Sequence, residues 1–485
     1  MHEIITISAS HRANHLTTQF FNCQEELLYL PEERPNDPTI FLNPTIDKIS
    51  KTATYSPRAI LWDARNGNGS LADYQYVPET EDYHFRPRGD DHGEQSKQSD
   101  SNNHQVMVTH PRINQSEYQI ALDQNKPLPK LTKENTKYWS DYNKLIYQAG
   151  NCRTLTNWYH DAEHPNLPDY QNLKKREFDQ FQMGIDEFEN YCMDDFFDES
   201  LRIQLENCDT VQGFNLITDF DSAWGGFSSR LLEELRDELP KTTIFTWGFH
   251  EQDMFCSLPK LRGGSVVNKI RTTIALGRES NIVFPLWAQP DLYTNWEIAG
   301  NLCKVLDTVT SVSGQKHSDY NRSMSYLETS LTLGDDRKKY VSDLYDVQDD
   351  DYYSYYSMVK PLAKSRDKPY HDFTVCKINR IGQIPPTKEE QMGAVTKGKK
   401  INELYTYSYY PSDTIPDEYK KNNSFQLEIK NTEKSRDVFK YYEDFVSKHL
   451  RFADDREELK DELSTLATEY ESGWYDEEDS GDDDA

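Results

Sequence analysis

The sequence predicts an α/β fold: a doubly wound, mostly parallel sheet, then a second, smaller α+β domain and C-terminal helices. Two observations predict it. Short apolar runs of strand length alternate with longer stretches whose apolar residues recur at helical spacing. The runs also feed turn-rich loops, as buried parallel strands do. A length of 485 residues exceeds one compact domain, so two packed domains with appendages are expected.

Taken in order, Ile4 to Ser8 read as a strand, and Leu16, Phe20, Cys23 and Leu27 then fall on one helical face. Arg58 to Trp62 form a second apolar run, stopping at Asp63 and the turn-forming Asn66-Gly67-Asn68-Gly69-Ser70. Both loops belong on the carboxyl edge of the sheet, where α/β folds bind ligands. Residues of about 73–105 are polar and poor in aliphatics, a composition that predicts a disordered insertion. Helical periodicity resumes at Tyr138 to Tyr147 and at Leu201, Leu205 and Cys208, before a strand at Val211 to Thr218. Gly225 and Gly226 then precede a helix carrying Phe227, Leu231, Leu235 and Leu239, closed by Pro240. Strands at Thr243 to Trp247 and Asn281 to Trp287 flank a helix with Val267, Ile270 and Ile274 in phase. The first domain is thus assigned to residues 1–310 and a Tyr-rich second one to 311–432. Two helices striped by Val438, Tyr442 and Phe445 and by Leu459, Leu463 and Leu466 occupy 433–470, and an acidic tail occupies 471–485.

Composition narrows the function classes. With 54 Lys and Arg against 83 Asp and Glu the formal charge is −29, which repels nucleic acid and anionic lipid headgroups and favours a basic partner surface. Seven scattered cysteines without a C-x-x-C pair suit reduced thiols and give neither disulfides nor a cysteine zinc site. The opening Met-His-Glu-Ile-Ile-Thr-Ile lacks the marks of a cleaved leader, and no apolar run is long enough for a membrane span. Any organelle association is therefore expected to be peripheral.

The opening strand with Ser10 to Asn14 and the following helix resembles the tubulin strand, G-Q-C-G-N loop and helix. Pro57-Arg58-Ala59-Ile60-Leu61-Trp62-Asp63 is similar to tubulin's P-R-A-x-x-x-D, and Glu206 to Phe214 to its E-x-C-D-x-x-Q-G-F. Leu235 to Pro240 falls where tubulin carries I-R-E-E-Y-P. Trp139-Ser140-Asp141-Tyr142, the degenerate glycine loops and Leu306-Asp307-Thr308-Val309-Thr310 single out one branch, and the chain is identified as resembling the Misato family, fungal type. That resemblance implies a tubulin-like fold and a part in mitochondrial partitioning, morphology and inheritance of mitochondrial DNA. It implies a location in the cytoplasm and on the outer mitochondrial surface, held peripherally or by a protein there. Tubulin and the cytosolic chaperonin are the further partners it implies, and a GTP-binding, polymer-forming role is the alternative.

Tubulin-like loops hold phosphates through backbone N–H groups, which glycine allows to approach closely. Here Ser10, Ala13 and Thr17 stand at glycine positions of the first loop, and Asp221-Ser222-Ala223-Trp224-Gly225-Gly226-Phe227 replaces G-G-G-T-G-S-G. Asn14, Asp63, Ser222, Gly225 and Gly226 are what remains of a nucleotide site. Asn14 alternatively caps or orients the first helix, and Gly225 and Gly226 make a strand-to-helix turn. Asp221 would face phosphate oxygens, at a cost of about 4 kcal/mol for like charges about 4 Å apart near a protein surface. A divalent cation shared with Asp63 would offset that. The chain is accordingly expected not to be an enzyme; no cofactor is certain, and GTP is the possible one. Asn295-Trp296-Glu297 is the nearest match to tubulin's N-x-D loop, though an exposed Glu in a helix's first turn is the default. His160-Asp161-Ala162-Glu163-His164 fits H-x-x-E-H, but Pro165 and Pro168 halt a helix there, so a solvated loop and no metal are expected.

Overall fold

A computed structural model describes residues 3–30, 36–46, 53–71, 113–148, 150–171, 175–251, 263–288, 293–316, 322–348, 351–358, 369–381, 401–420, 424–451 and 453–472. The insertion expected at 73–105 and the tail from Asp476 lie outside the described residues.

Strand β1 (Glu3–Ala9) is buried along its whole length and enters helix α1 (His11–Glu26) directly. A hairpin of β2 (Leu42–Ile46) and β3 (Ala53–Pro57) leads into β4 (Ala59–Arg65), and helix α2 (Glu117–Asp123) follows. The chain continues through β5 (Cys152–Tyr159), β6 (Tyr170–Gln171) and β7 (Arg176–Glu177) to helix α3 (Phe181–Glu187). Past α3 the helix carries two π-helical stretches before α4 (Arg202–Glu206). Next come β8 (Val211–Asp219), α5 (Ala223–Glu238), β9 (Thr243–Glu251), α6 (Gly263–Glu279) and β10 (Ile282–Ala288).

Apart from the β2–β3 hairpin, these strands form one eight-stranded sheet in the order β10-β9-β8-β1-β4-β5-β6-β7, parallel from β10 to β5. Continuous apolar strands such as Ile282–Ala288 are what burial on both faces requires. Each Leu or Phe so buried contributes roughly 1.5–3 kcal/mol. Two of the tubulin-like motifs lock the base of this sheet: Arg58 donates from Nη1 to the Asn207 carbonyl at 2.7 Å and to Cys208 Sγ at 3.3 Å. Met324 N donates to Gln212 Oε1 at 2.6 Å.

Helices α7 (Asn295–Ser311) and α8 (Met324–Thr332) precede a second, five-stranded sheet. Its strands are β11 (Asp343–Gln348), β12 (Asp351–Ser357), β13 (Asp372–Ile381), β14 (Ile401–Tyr407) and β15 (Gln426–Thr432), ordered β12-β11-β15-β13-β14. The helices Lys434–His449 and Arg456–Glu469 close the chain, and one contiguous apolar core runs through both sheets. No helix among the described residues is long and apolar enough to cross a membrane.

The helix expected over Tyr138 to Tyr147 is not formed. Trp139–Tyr142 make a single 3-10 turn, tied by Asp141 Oδ2 accepting from Tyr138 N at 2.9 Å. Beyond it Asn22 of α1 takes both hydrogen bonds that a helix would have used: its Nδ2 donates to the Tyr142 carbonyl at 2.9 Å and its Oδ1 accepts from Lys144 N at 3.0 Å. A partner more than a hundred residues away thus replaces local pairing.

Candidate functional site

At the carboxyl edge of β1, β8 and β9 lies a pocket of about 400 Å³ lined by Ser10, His11, Arg12, Asp219, Asp221, Ser222 and Glu251, among others. Ser10 has φ 135° and ψ 158°, a conformation that favours glycine, so the loop keeps the backbone course of a glycine position under a serine. The strain comes with a cap: Ser10 Oγ accepts from Ala13 N at 3.1 Å. Ser222 caps α5 in the same way, accepting from Trp224 N at 3.3 Å.

The charged groups of the pocket pair with one another. Arg12, in the first loop, pairs with Asp219 at 3.5 Å and Glu251 at 3.9 Å. Burial pushes the Asp221 carboxyl up to about 7, against the pull of Lys269 and with the help of Glu251, and its Oδ2 accepts from Glu251 N at 2.7 Å.

Asn14 and Asp63 do not line this pocket but meet in a buried polar cluster behind it. Asn14 Nδ2 donates to the Trp62 carbonyl at 2.9 Å and to Asp63 Oδ2 at 3.1 Å, which orients the end of β4 against α1. Asp63 also accepts from Trp139 Nε1 at 3.1 Å and Ala64 N at 2.8 Å, and lies 3.0 Å from His11 Nδ1. Gly67 has to be glycine for this turn to close, since a Cβ there would sit 2.1 Å from Asp63 Oδ1. Burial pulls the His11 imidazole down but the Asp63 carboxylate outweighs it, leaving the pKa above its ordinary value. Asp63 is pushed up by burial and held below the usual carboxylate range by His11. A cation shared by Asp63 and Asp221, which would offset the charge of Asp221, has no such arrangement among the described residues, because Asp63 groups instead with His11 and His160.

Gly225 and Gly226 belong to the first turn of α5 and serve helix packing. A Cβ on Gly225 would lie 2.1 Å from Thr272 Oγ1, and one on Gly226 1.9 Å from the Phe181 carbonyl oxygen. Neither glycine lines the pocket.

Glu297 lies in the first turn of α7, but it is buried rather than exposed. It completes a capping box with Thr294, whose N–H it accepts at 3.0 Å, and pairs with Lys133 at 2.8 Å. The H-x-x-E-H stretch forms turns rather than a helix: His160 is buried, its Nδ1 2.9 Å from Asp169 Oδ1, whereas His164 is exposed beside Asp161 at 3.2 Å. Sequence reasoning missed that His160 stacks on His11, with ring centroids 3.8 Å apart at 25°. The available signal was His11 and His15, spaced one turn apart at the start of α1.

Two family profiles match the chain, one described as a Misato Segment II tubulin-like domain over residues 2–124 and one as a tubulin domain over residues 128–314. Protein DML1 of Kluyveromyces lactis is 45% identical to it over 99% of both chains. Protein DML1 of Eremothecium gossypii is 39% identical over the full length of both, and the dml1 protein of Aspergillus oryzae 26% identical over 99% of this chain and 100% of its own.

Proposed function

The chain belongs to the Misato/DML1 family of tubulin-like proteins, and on that premise we propose that it is a non-enzymatic member acting in the partitioning and inheritance of mitochondria and of their DNA. It works in the cytoplasm and on the cytosolic face of mitochondria, held there peripherally through a protein partner. The observation that carries the non-enzymatic part is Arg12: this cation of the first loop is engaged by Asp219 and Glu251. A triphosphate entering there would meet an Arg12 already neutralised by the Asp219 and Glu251 carboxylates. The tight packing of Gly225 against Thr272 and of Gly226 against Phe181 supports the same reading, since it accounts for both glycines without a bound phosphate. The mitochondrial part rests on the family resemblance.

The test has two arms. The purified full-length protein is expected to carry no guanine nucleotide and to turn over GTP no faster than buffer blanks. Depletion is expected to leave mitochondria clumped or unequally inherited, with the tagged protein digestible by protease added to intact mitochondria. Co-purified GTP with turnover above blank would support the polymer-forming alternative instead. Normal mitochondrial inheritance after depletion would put an assembly role with tubulin and the cytosolic chaperonin ahead.

A further inference from the structure

We propose that His11, Asp63 and His160 form a binding site for one first-row divalent metal ion of the zinc class, reached from the carboxyl-edge pocket. The three residues are buried, and one ligand atom from each lies within 4.8 Å of the others. They come from α1, β4 and the turn after β5, so the site pins three separate elements together.

Both imidazoles are held by a further group, the arrangement protein metal sites use to orient them, while Asp63 Oδ2 already accepts from Asn14 Nδ2 and Trp139 Nε1, both at 3.1 Å, bonds that an ion would have to share or displace. His160 Nδ1 donates to Asp169 Oδ1 at 2.9 Å, and Asp169 Oδ2 is itself fixed by Trp224 Nε1 at 2.9 Å. That tautomer leaves His160 Nε2 a bare acceptor, buried and without a hydrogen-bond partner. His160 is only 6% exposed, so the orphaned nitrogen is costly unless something binds it. His11 Nε2 faces the Lys137 carbonyl at 3.2 Å, and a proton on Nε2 frees Nδ1 toward Asp63 Oδ2, 3.0 Å away. The other Asp63 oxygen is anchored by Ala64 N at 2.8 Å. His15 completes the surround, its Nε2 3.2 Å from His11 Nε2 and its Nδ1 2.7 Å from the Tyr142 hydroxyl.

The donor set selects the ion. Two imidazoles and a carboxylate suit zinc and its first-row neighbours, whereas magnesium and calcium take oxygen ligands. At bond lengths of about 2.0–2.2 Å, tetrahedral ligands stand roughly 3.3–3.5 Å apart. The His11 to Asp63 spacing is already near that; the His160 donor lies within 4.8 Å of both, so the stacked His11 and His160 rings must shift apart for it to close on the ion. Because His11 and His160 both line the pocket while Asp63 lies behind it, the fourth position faces the opening, which is also the entry path.

The decisive experiment uses the full-length protein, stripped with a chelator and titrated with Co²⁺ and then Zn²⁺. The expected result is one equivalent of Co²⁺ giving the visible bands of a four- or five-coordinate nitrogen and oxygen site. Zn²⁺ should displace it and Mg²⁺ should not, and Zn²⁺ should raise the melting temperature. His160→Gln should weaken Zn²⁺ binding at least 10-fold and Asp169→Asn by about 10–100-fold, as loss of an orienting partner does. Each shift is read against the same variant without metal, so loss of fold is seen separately. His164→Ala should leave binding unchanged. Absence of Co²⁺ bands in the unmutated protein, which needs no variant, overturns the proposal, as does binding that survives His160→Gln or disappears with His164.

Discussion

Asp221 shows how a single carboxyl sets the chemistry of the pocket. Its pKa, pushed from 3.8 to about 7 by burial with Lys269 opposing, means that the folded protein holds a proton there that the unfolded chain releases. Below about pH 4 the group is neutral in both states and contributes nothing. Between about pH 4 and 7 the unfolded state ionises first and binds fewer protons, so stability falls as pH rises; above about 7 the penalty is constant. Asp221→Asn should therefore stabilise the protein at pH 8 by on the order of 2 kcal/mol, with the gain vanishing toward pH 4. Its amide oxygen can still accept from Glu251 N. Urea unfolding at several pH values measures this, and a gain equal at pH 4 and pH 8 would contradict it.

Among the elements, α5 is defined by what its first turn excludes. Gly226→Ala would drive a Cβ to 1.9 Å from the Phe181 carbonyl, a backbone atom that can move only with α3, and should cost about 1–3 kcal/mol or more. Gly225→Ala meets the Thr272 hydroxyl at 2.1 Å instead, so Thr272→Ala should recover part of the loss for Gly225→Ala and none for Gly226→Ala. Urea midpoints of the three variants and two doubles decide this. The same contrast explains what was legible in the sequence. The strands β1, β8, β9 and β10 and the stripes of α5 and α6 follow from periodicity alone, because both faces of the sheet are buried. The helix expected through Trp139–Tyr142 stops there because the next backbone groups, the Tyr142 carbonyl and Lys144 N, are bonded by Asn22. The second sheet was not resolved into strands because runs such as Asp351–Ser357 are tyrosines and serines rather than aliphatics. In the site, Ser222 was legible as a loop residue, whereas the grouping of His11 with His160 depends on the order of strands, which periodicity does not carry.

For the molecule as a whole, the question is what makes two sheets behave as one body. A buried chain of polar groups crosses between them: Gln24 Nε2 of α1 donates to Asp307 Oδ1 at 2.7 Å, and Asp307 Oδ2 pairs with Arg380 of β13. Arg380 is fully buried and also donates to Thr308 Oγ1 at 3.1 Å and to the Tyr407 carbonyl at 3.3 Å. The segment Leu306 to Thr310, which marked the family in the sequence, is thus the clamp between the first helix and the second sheet. Replacing one partner of such a pair strands a charge in the interior, so Asp307→Ala should cost about 3–5 kcal/mol. Asp307→Leu with Arg380→Met removes both charges and should be less destabilised than the single variant. If the clamp and the continuous core couple the sheets, unfolding must be one transition by two probes. Tryptophan fluorescence reports the first sheet through Trp62 and Trp247, and labelling of the buried Cys376 thiol reports the second. Coincident urea curves are expected for the unmutated chain; in Asp307→Ala both should shift together to lower urea. Exposure of Cys376 while the fluorescence stays native would show that the second sheet unfolds on its own, and the clamp would then be a local contact only.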